Sequence, residues 1–137
     1  MARVIAIDYG KKRTGLAWTD PMEIIATALE TVPTEQLAKR LKALVAQEDV
    51  RGFVLGMPTR LDGSDTDSTA AVRAFEQRLR KMFPALEVVL WDEQFTSKMA
   101  VDAMVRAGFS KKKRRNKALV DQISATIILQ EYLESRG

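Results

Sequence analysis

The chain has 137 residues, 46% hydrophobic and 29% charged, with 22 Lys and Arg against 18 Asp and Glu for a formal charge of +4. That length suits a single domain, residues 1–137, with a core of its own. There is no Cys and no His, which excludes disulfides, thiol nucleophiles, Ser-His triads and thiolate or imidazole metal sites; catalysis must run on carboxylates, Lys, Tyr or hydroxyls, and any metal must be a hard ion held by oxygen.

Residues 3–8 (RVIAID) are short, β-branched and apolar, which predicts a buried strand. A turn at 10–12 (GKK) leads to a second strand, Arg13 to Thr19, so the two form a hairpin, and Ile24 to Glu30 reads as a third strand. Thr34, after Pro33, is the expected N-cap of a helix, with Glu35 in its first turn. Leu37, Leu41, Leu44 and Val45 give that helix one apolar face. Arg51 to Gly56 is a strand, followed by a polar loop to Ser64 that carries Pro58 and Asp62-Gly63. Val72, Phe75, Leu79 and Met82 mark a second helix, stopped by Pro84. Leu86 to Trp91 is the fifth strand, and a helix over roughly Ser97 to Ala107 ends at Gly108. After the basic run 111–117, Val120, Ile123, Ile127 and Tyr132 carry a last helix.

The order β-β-β-α-β-α-β-α-α predicts an α/β fold: a mixed five-stranded sheet, an antiparallel meander followed by parallel strands, flanked by helices. No apolar run reaches the roughly 20 residues of a membrane span, and the start lacks the apolar stretch of a signal peptide. A soluble, cytoplasmic protein with no membrane partner is expected. Trp18, Trp91, Met57, Met82, Met99 and Met104 fit core packing.

Asp8 ends the first strand and Glu93 lies two residues past Trp91, where the fifth ends. If strands one, four and five are parallel, both acids stand at the carboxyl edge where open α/β sheets bind ligands. The last helix can bring Asp121 to the same place. Three crowded carboxylates need a neutraliser, and without His a divalent cation supplies it. A pair of Mg²⁺ or Mn²⁺ ions would grip a phosphodiester and activate a water for in-line attack. Each acid also fits a plainer role: Asp8 as a turn residue, Asp92 or Glu93 as charge preceding a helix, Asp121 as part of a solvated helix face. Asp62 is first of all a turn signal, with the active-site rim as its other place.

Lys11, Lys12 and Arg13 sit in the hairpin turn after Asp8. Lys111, Lys112, Lys113, Arg114, Arg115 and Lys117 precede Asp121. Charge runs are commonly solvated surface. Two of them flanking proposed metal ligands suit a phosphodiester substrate, with salt-sensitive and sequence-independent binding.

These residues fall into four ordered motifs: DYGKKRTG at Asp8–Gly15, GMPTRLDG at Gly56–Gly63, DEQFTS at Asp92–Ser97 and VDQISATIIL at Val120–Leu129. Together they resemble the YqgF/RuvX family of RNase H-like nucleases, over essentially the whole chain. Members of that family are described as Holliday junction resolvase-like or as nucleases processing the 5′ end of the 16S rRNA precursor. The resemblance implies an RNase H-like sheet, metal ligands at Asp8, Glu93 and Asp121, and Mg²⁺ or Mn²⁺ as cofactor. Gln94 stands where the family usually has Arg, and Ser124 where it has a small apolar residue that packing alone lets Ser replace.

The leading expectation is a two-metal nuclease acting on structured nucleic acid, with pre-16S rRNA as substrate. Next comes a four-way DNA junction, whose symmetric cleavage needs a homodimer. A non-catalytic rRNA-binding assembly factor is a further alternative. An actin-like or sugar-kinase-like ATPase is disfavoured, because such enzymes close two domains of this kind over the nucleotide.

Overall fold

The computed structural model describes residues 2–58, 67–93 and 96–136. Five strands, β1 (Arg3–Asp8), β2 (Arg13–Thr19), β3 (Ala26–Pro33), β4 (Val50–Pro58) and β5 (Glu87–Glu93), form one sheet in the order β3-β2-β1-β4-β5. β1 pairs antiparallel with β2, β2 antiparallel with β3, and β1, β4 and β5 run parallel. The predicted mixed sheet is therefore present. Its helices are α1 (Leu37–Gln47), α2 (Asp67–Met82), α3 (Thr96–Arg106), α4 (Lys111–Arg114) and α5 (Lys117–Arg136). Among the described residues no helix is long and apolar enough to cross a membrane.

The continuous apolar run of β1 reflects burial on both faces, as central parallel strands require. Ile5 and Ile7 join Leu16, Phe53, Leu55, Met57 and Val88 in one cluster with Leu37, Leu41 and Leu44 of α1 and Val72, Phe75 and Leu79 of α2. Val4 and Ala6 face the other way, against Ala17, Val54 and the α5 residues Ala125, Ile128, Leu129 and Tyr132. Trp18 and Trp91 are half-buried at the margins of these clusters. The Arg3 guanidinium lies 4.0 Å from the centre of the Trp18 ring, and the Trp91 indole donates to Glu131 at 3.2 Å. Met57 and Met104 are buried, whereas Met99 is 41% exposed on α3 and departs from its expected core role.

Four sequence expectations need correction. The third strand begins later than Ile24 because the Asp20 carboxylate accepts the Met22, Ile24 and Ile25 N–H groups at 3.0, 2.8 and 2.7 Å. Those donors are thereby withdrawn from strand pairing, and the Met22, Ile24 and Ile25 side chains stand 59–65% exposed. Thr34 does not cap a helix. A 3₁₀ turn (Thr34–Gln36) precedes α1 without a side-chain cap, and the Thr34 hydroxyl is engaged with Gly10 and Thr14 instead. The basic run adds an element missing from the predicted order, since Lys111–Arg114 form a helical turn in which the Ser110 hydroxyl accepts the Lys113 N–H at 3.3 Å. Finally, α5 turns Ser124, Ala125, Ile128, Leu129 and Tyr132 inward, while Val120, Ile123 and Ile127 are only half-buried. Small residues at 124 and 125 let the helix lie close to the sheet. Ser124 fits sterically, but its Oγ is buried with no hydrogen-bond partner, which carries a desolvation cost.

The β2–β3 connection is held by charge. Glu23, at φ 56°, binds Arg51 through two contacts and Arg136 at 3.0 Å. Hydrogen bonding and charge from Arg51, aided by Arg136, hold its carboxyl below the ordinary 4.5 against the opposing effect of burial. A depressed folded value gives stability that is present above about pH 4.5 and lost as pH falls through it. Glu23→Gln should therefore cost about 1 kcal/mol at pH 7. In urea titrations the gap from the parent should close as the buffer is taken well below pH 4.5; a gap independent of pH would show that the charge is not what holds the loop.

Candidate active site

Asp8 is the last residue of β1, and its cross-strand partner is Gly15 of β2. Between them the chain turns through Gly10, where a Cβ would lie 2.4 Å from the Arg13 carbonyl oxygen, so only glycine closes the turn this tightly. The turn is clamped from the start of the 3₁₀ segment. The Thr34 N–H donates to the Lys12 carbonyl at 3.0 Å, and the Thr34 hydroxyl donates to the Gly10 carbonyl at 2.6 Å and lies 2.8 Å from the Thr14 hydroxyl. With its backbone fixed inward, the turn leaves Lys11 and Lys12 exposed.

Asp121 arrives from the other end of the chain. α5 is capped by Asn116, whose side chain accepts the Leu119 N–H at 3.2 Å, and the Thr31 hydroxyl of β3 donates to the Ala118 carbonyl at 2.5 Å. One step on, the helix backbone presses on β2. A Cβ on Gly15 would lie 2.1 Å from the Asp121 carbonyl oxygen and 3.0 Å from its Cβ. Asp121 thus packs against the residue that pairs with Asp8, and the two acids meet at one corner of the sheet. The solvated-face reading of Asp121 does not hold, because its side chain is only 20% exposed.

Its Oδ2 accepts a hydrogen bond from Arg13 Nε at 2.6 Å. Burial nevertheless pushes the Asp121 carboxyl above its ordinary value, against the lowering pull of Arg13 and of Lys117 one turn earlier. Beside this carboxyl opens a cleft of about 250 Å³ lined by Gly10, Lys11, Lys12, Arg13 and Asp121.

Glu93 is the last residue of β5, in register with Pro58 of β4. Ile7, Leu55 and Leu90 lie level across β1, β4 and β5, so Asp8 stands level with Trp91, and Glu93 lies two residues further along the same carboxyl edge, two strands away. The Glu93 side chain, Gln94 and Asp62 lie outside the described residues, which bring together two of the three expected acids. Asp92 is exposed. In the second basic block Lys111, Lys112, Lys113, Arg115 and Lys117 are exposed, Arg114 is half-buried, and Lys113 Nζ sits 5.6 Å from the centre of the Phe109 ring. Sequence reasoning missed the hydroxyl clamps of Thr14, Thr31 and Thr34. A Thr after a Pro carries the same signal for a cap as for a tertiary bond.

Gly15→Ala should move α5 off the sheet at Asp121. We expect a loss of about 1–3 kcal/mol in denaturant unfolding, as for other overpacked sites. Unchanged stability would mean the helix yields freely there.

The family model for RuvX, described as Holliday junction resolvase, matches residues 2–135. A Porphyromonas gingivalis protein named "Putative pre-16S rRNA nuclease" is 49% identical over 135 residues, covering 98% of each chain. A Flavobacterium johnsoniae protein of the same name is 46% identical over 136 residues, covering 99% of each. Among solved structures, Thermus thermophilus RuvC in complex with a Holliday junction substrate aligns with a TM-score of 0.58 at 18% identity, over 99% of this chain and 96% of that one. A second Thermus thermophilus RuvC structure gives 0.55 at 19% identity, over 98% and 95%. Those likenesses bear on the fold alone and agree with the expected RNase H-like sheet. With the match running almost end to end, this chain belongs to the RuvX family.

Proposed function

We propose that this chain is a hydrolase of one RNase H-like domain that cuts phosphodiester bonds of structured nucleic acid in the cytoplasm, with the 5′ end of the 16S rRNA precursor as its substrate. The observation that carries this reading is the corner where Asp8 and Asp121 pack about Gly15, beside a cleft walled by Lys11, Lys12 and Arg13. The names of the relatives favour the rRNA substrate. The family's description favours a four-way DNA junction as the second substrate, which would require a homodimer with two such corners.

The donor set suits a hard divalent cation. It is all oxygen, and the largely buried Asp121 carboxylate borders an open cleft. Asp8, Asp121 and Glu93 would hold Mg²⁺ or Mn²⁺. Two such ions would supply Lewis-acid polarisation of the phosphate and a more acidic water for in-line attack. The protein's own part is to hold the substrate backbone. Lys11, Lys12 and Arg13 grip phosphate at the cleft, and Lys111, Lys112, Lys113, Arg114, Arg115 and Lys117 extend the positive track toward Asp121. Gly10 and Thr34 keep the hairpin turn from swinging away.

Asp8→Asn should lower cleavage of a 5′-extended rRNA precursor in Mg²⁺ or Mn²⁺ by roughly 100-fold or more. Affinity for the same RNA should hold or rise, because a repulsive charge is gone. A four-way DNA junction run alongside decides between the substrates, and size-exclusion chromatography showing a strict monomer counts against the junction. A parent protein that cuts neither with either metal would leave RNA binding as its role.

Replacing Lys112, Lys113 and Arg114 together by Ala should flatten the log–log dependence of binding on salt by about 2–3, at 0.7–0.9 per phosphate neutralised. Mn²⁺ affinity should not move. An unchanged slope would show this block faces away from the substrate.

A further inference from the structure

Arg13 is fixed at its backbone and free at its tip. It opens β2, paired with Pro33, and its carbonyl is packed by Gly10. Its side chain is 37% exposed and meets Asp121 through Nε. That geometry leaves the two terminal guanidinium nitrogens for another acceptor, at the cleft it lines with Lys11 and Lys12. A guanidinium presents its nitrogens as a planar fork that matches two oxygens of a phosphate.

The Asp121 carboxylate is thus held by a monovalent, organic cation at one of its two oxygens, Oδ2. A dication brought to the same carboxylate would repel Arg13 at close range in a partly desolvated corner. Only a side-chain rotation is needed to relieve this, because the backbone of residue 13 is locked by the sheet and by the turn. The volume into which the guanidinium can rotate is the cleft itself.

We infer that Arg13 is an exchangeable counter-ion: it occupies Asp121 in the metal-free protein and, once a divalent cation takes that carboxylate, turns into the cleft to hold a substrate phosphate. The inference rests on the reading of Asp121 as a metal ligand. It makes Arg13 a substrate-binding residue that couples two binding events. Metal entry releases a phosphate-gripping group, and a phosphate that engages Arg13 uncovers the carboxylate. Reciprocity then requires metal and nucleic acid to raise one another's affinity by the same factor.

The test uses the intact chain and reads binding rather than turnover. Mn²⁺ affinity is measured by isothermal titration calorimetry with and without a short structured RNA, for the parent, Arg13→Gln, Arg13→Lys and Asp121→Asn. Arg13→Gln should bind Mn²⁺ about tenfold more tightly without RNA, since the competitor is gone, and should lose most of the mutual enhancement with RNA. Arg13→Lys, which keeps the charge but not the fork, should retain near-parental Mn²⁺ affinity without RNA and recover only part of the enhancement. If Asp121→Asn abolishes Mn²⁺ binding while Arg13→Gln leaves it unchanged or weakened, the exchange is wrong and the metal reading stands. If Asp121→Asn leaves Mn²⁺ binding untouched, both fall together.

Discussion

The arrangement depends on a close approach that only a missing side chain permits. α5 lies against β2 with the Asp121 backbone filling the space where a Cβ of Gly15 would be. Because Gly15 is also the cross-strand partner of Asp8, this single contact sets the separation of two acids 113 residues apart in sequence. The small inward residues Ser124 and Ala125 continue the approach one turn further along. The hydroxyl bond from Thr31 to Ala118 pins the start of the helix to the neighbouring strand. Packing and chemistry are one problem here: a helix that stood off by the width of a methyl group would keep its hydrophobic stripe but separate its carboxylate from the strand end.

Charge around that corner is distributed asymmetrically. The acids lie in or near the fold's interior, Asp121 being pushed by burial toward its neutral form, while Lys11 and Lys12 stand exposed on a turn that Gly10 and Thr34 hold rigid. An acidic floor under a basic rim attracts a polyanion and a cation together, which neither charge would do alone. Without histidine the corner has no group that titrates on its own near neutrality.

Much of this was legible in the sequence where one physical signal dominated. The unbroken apolar run of β1 and the i, i+4, i+7 face of α1 each have one solution, and strands alternating with helices force parallel crossovers. The meeting of Asp8 with Asp121 could be expected because parallel strand ends and a returning helix share one edge. What was not legible depended on side chains competing for backbone donors. Asp20 withdraws three amides and delays β3, and Thr34 gives its hydroxyl to Gly10 instead of a helix end. The face of α5 was misread for a different reason: apolar residues surround the helix, and only its proximity to the sheet selects the small ones at 124 and 125. The four motifs carried the family, yet their letters hold nothing of Arg13 lying across Asp121.

The order of the chain also has a temporal side. The strands that form the sheet all precede residue 94, whereas the helix bearing Asp121 begins at Lys117. A nascent polypeptide emerging from the ribosome can therefore build the whole sheet, with its lysine-bearing turn, before it can build the acidic corner. With the sheet already formed, docking of α5 closes only the stretch between Glu93 and Lys117. Synthesis thus completes the sheet first, and the corner at Asp121 arrives only with the final helix.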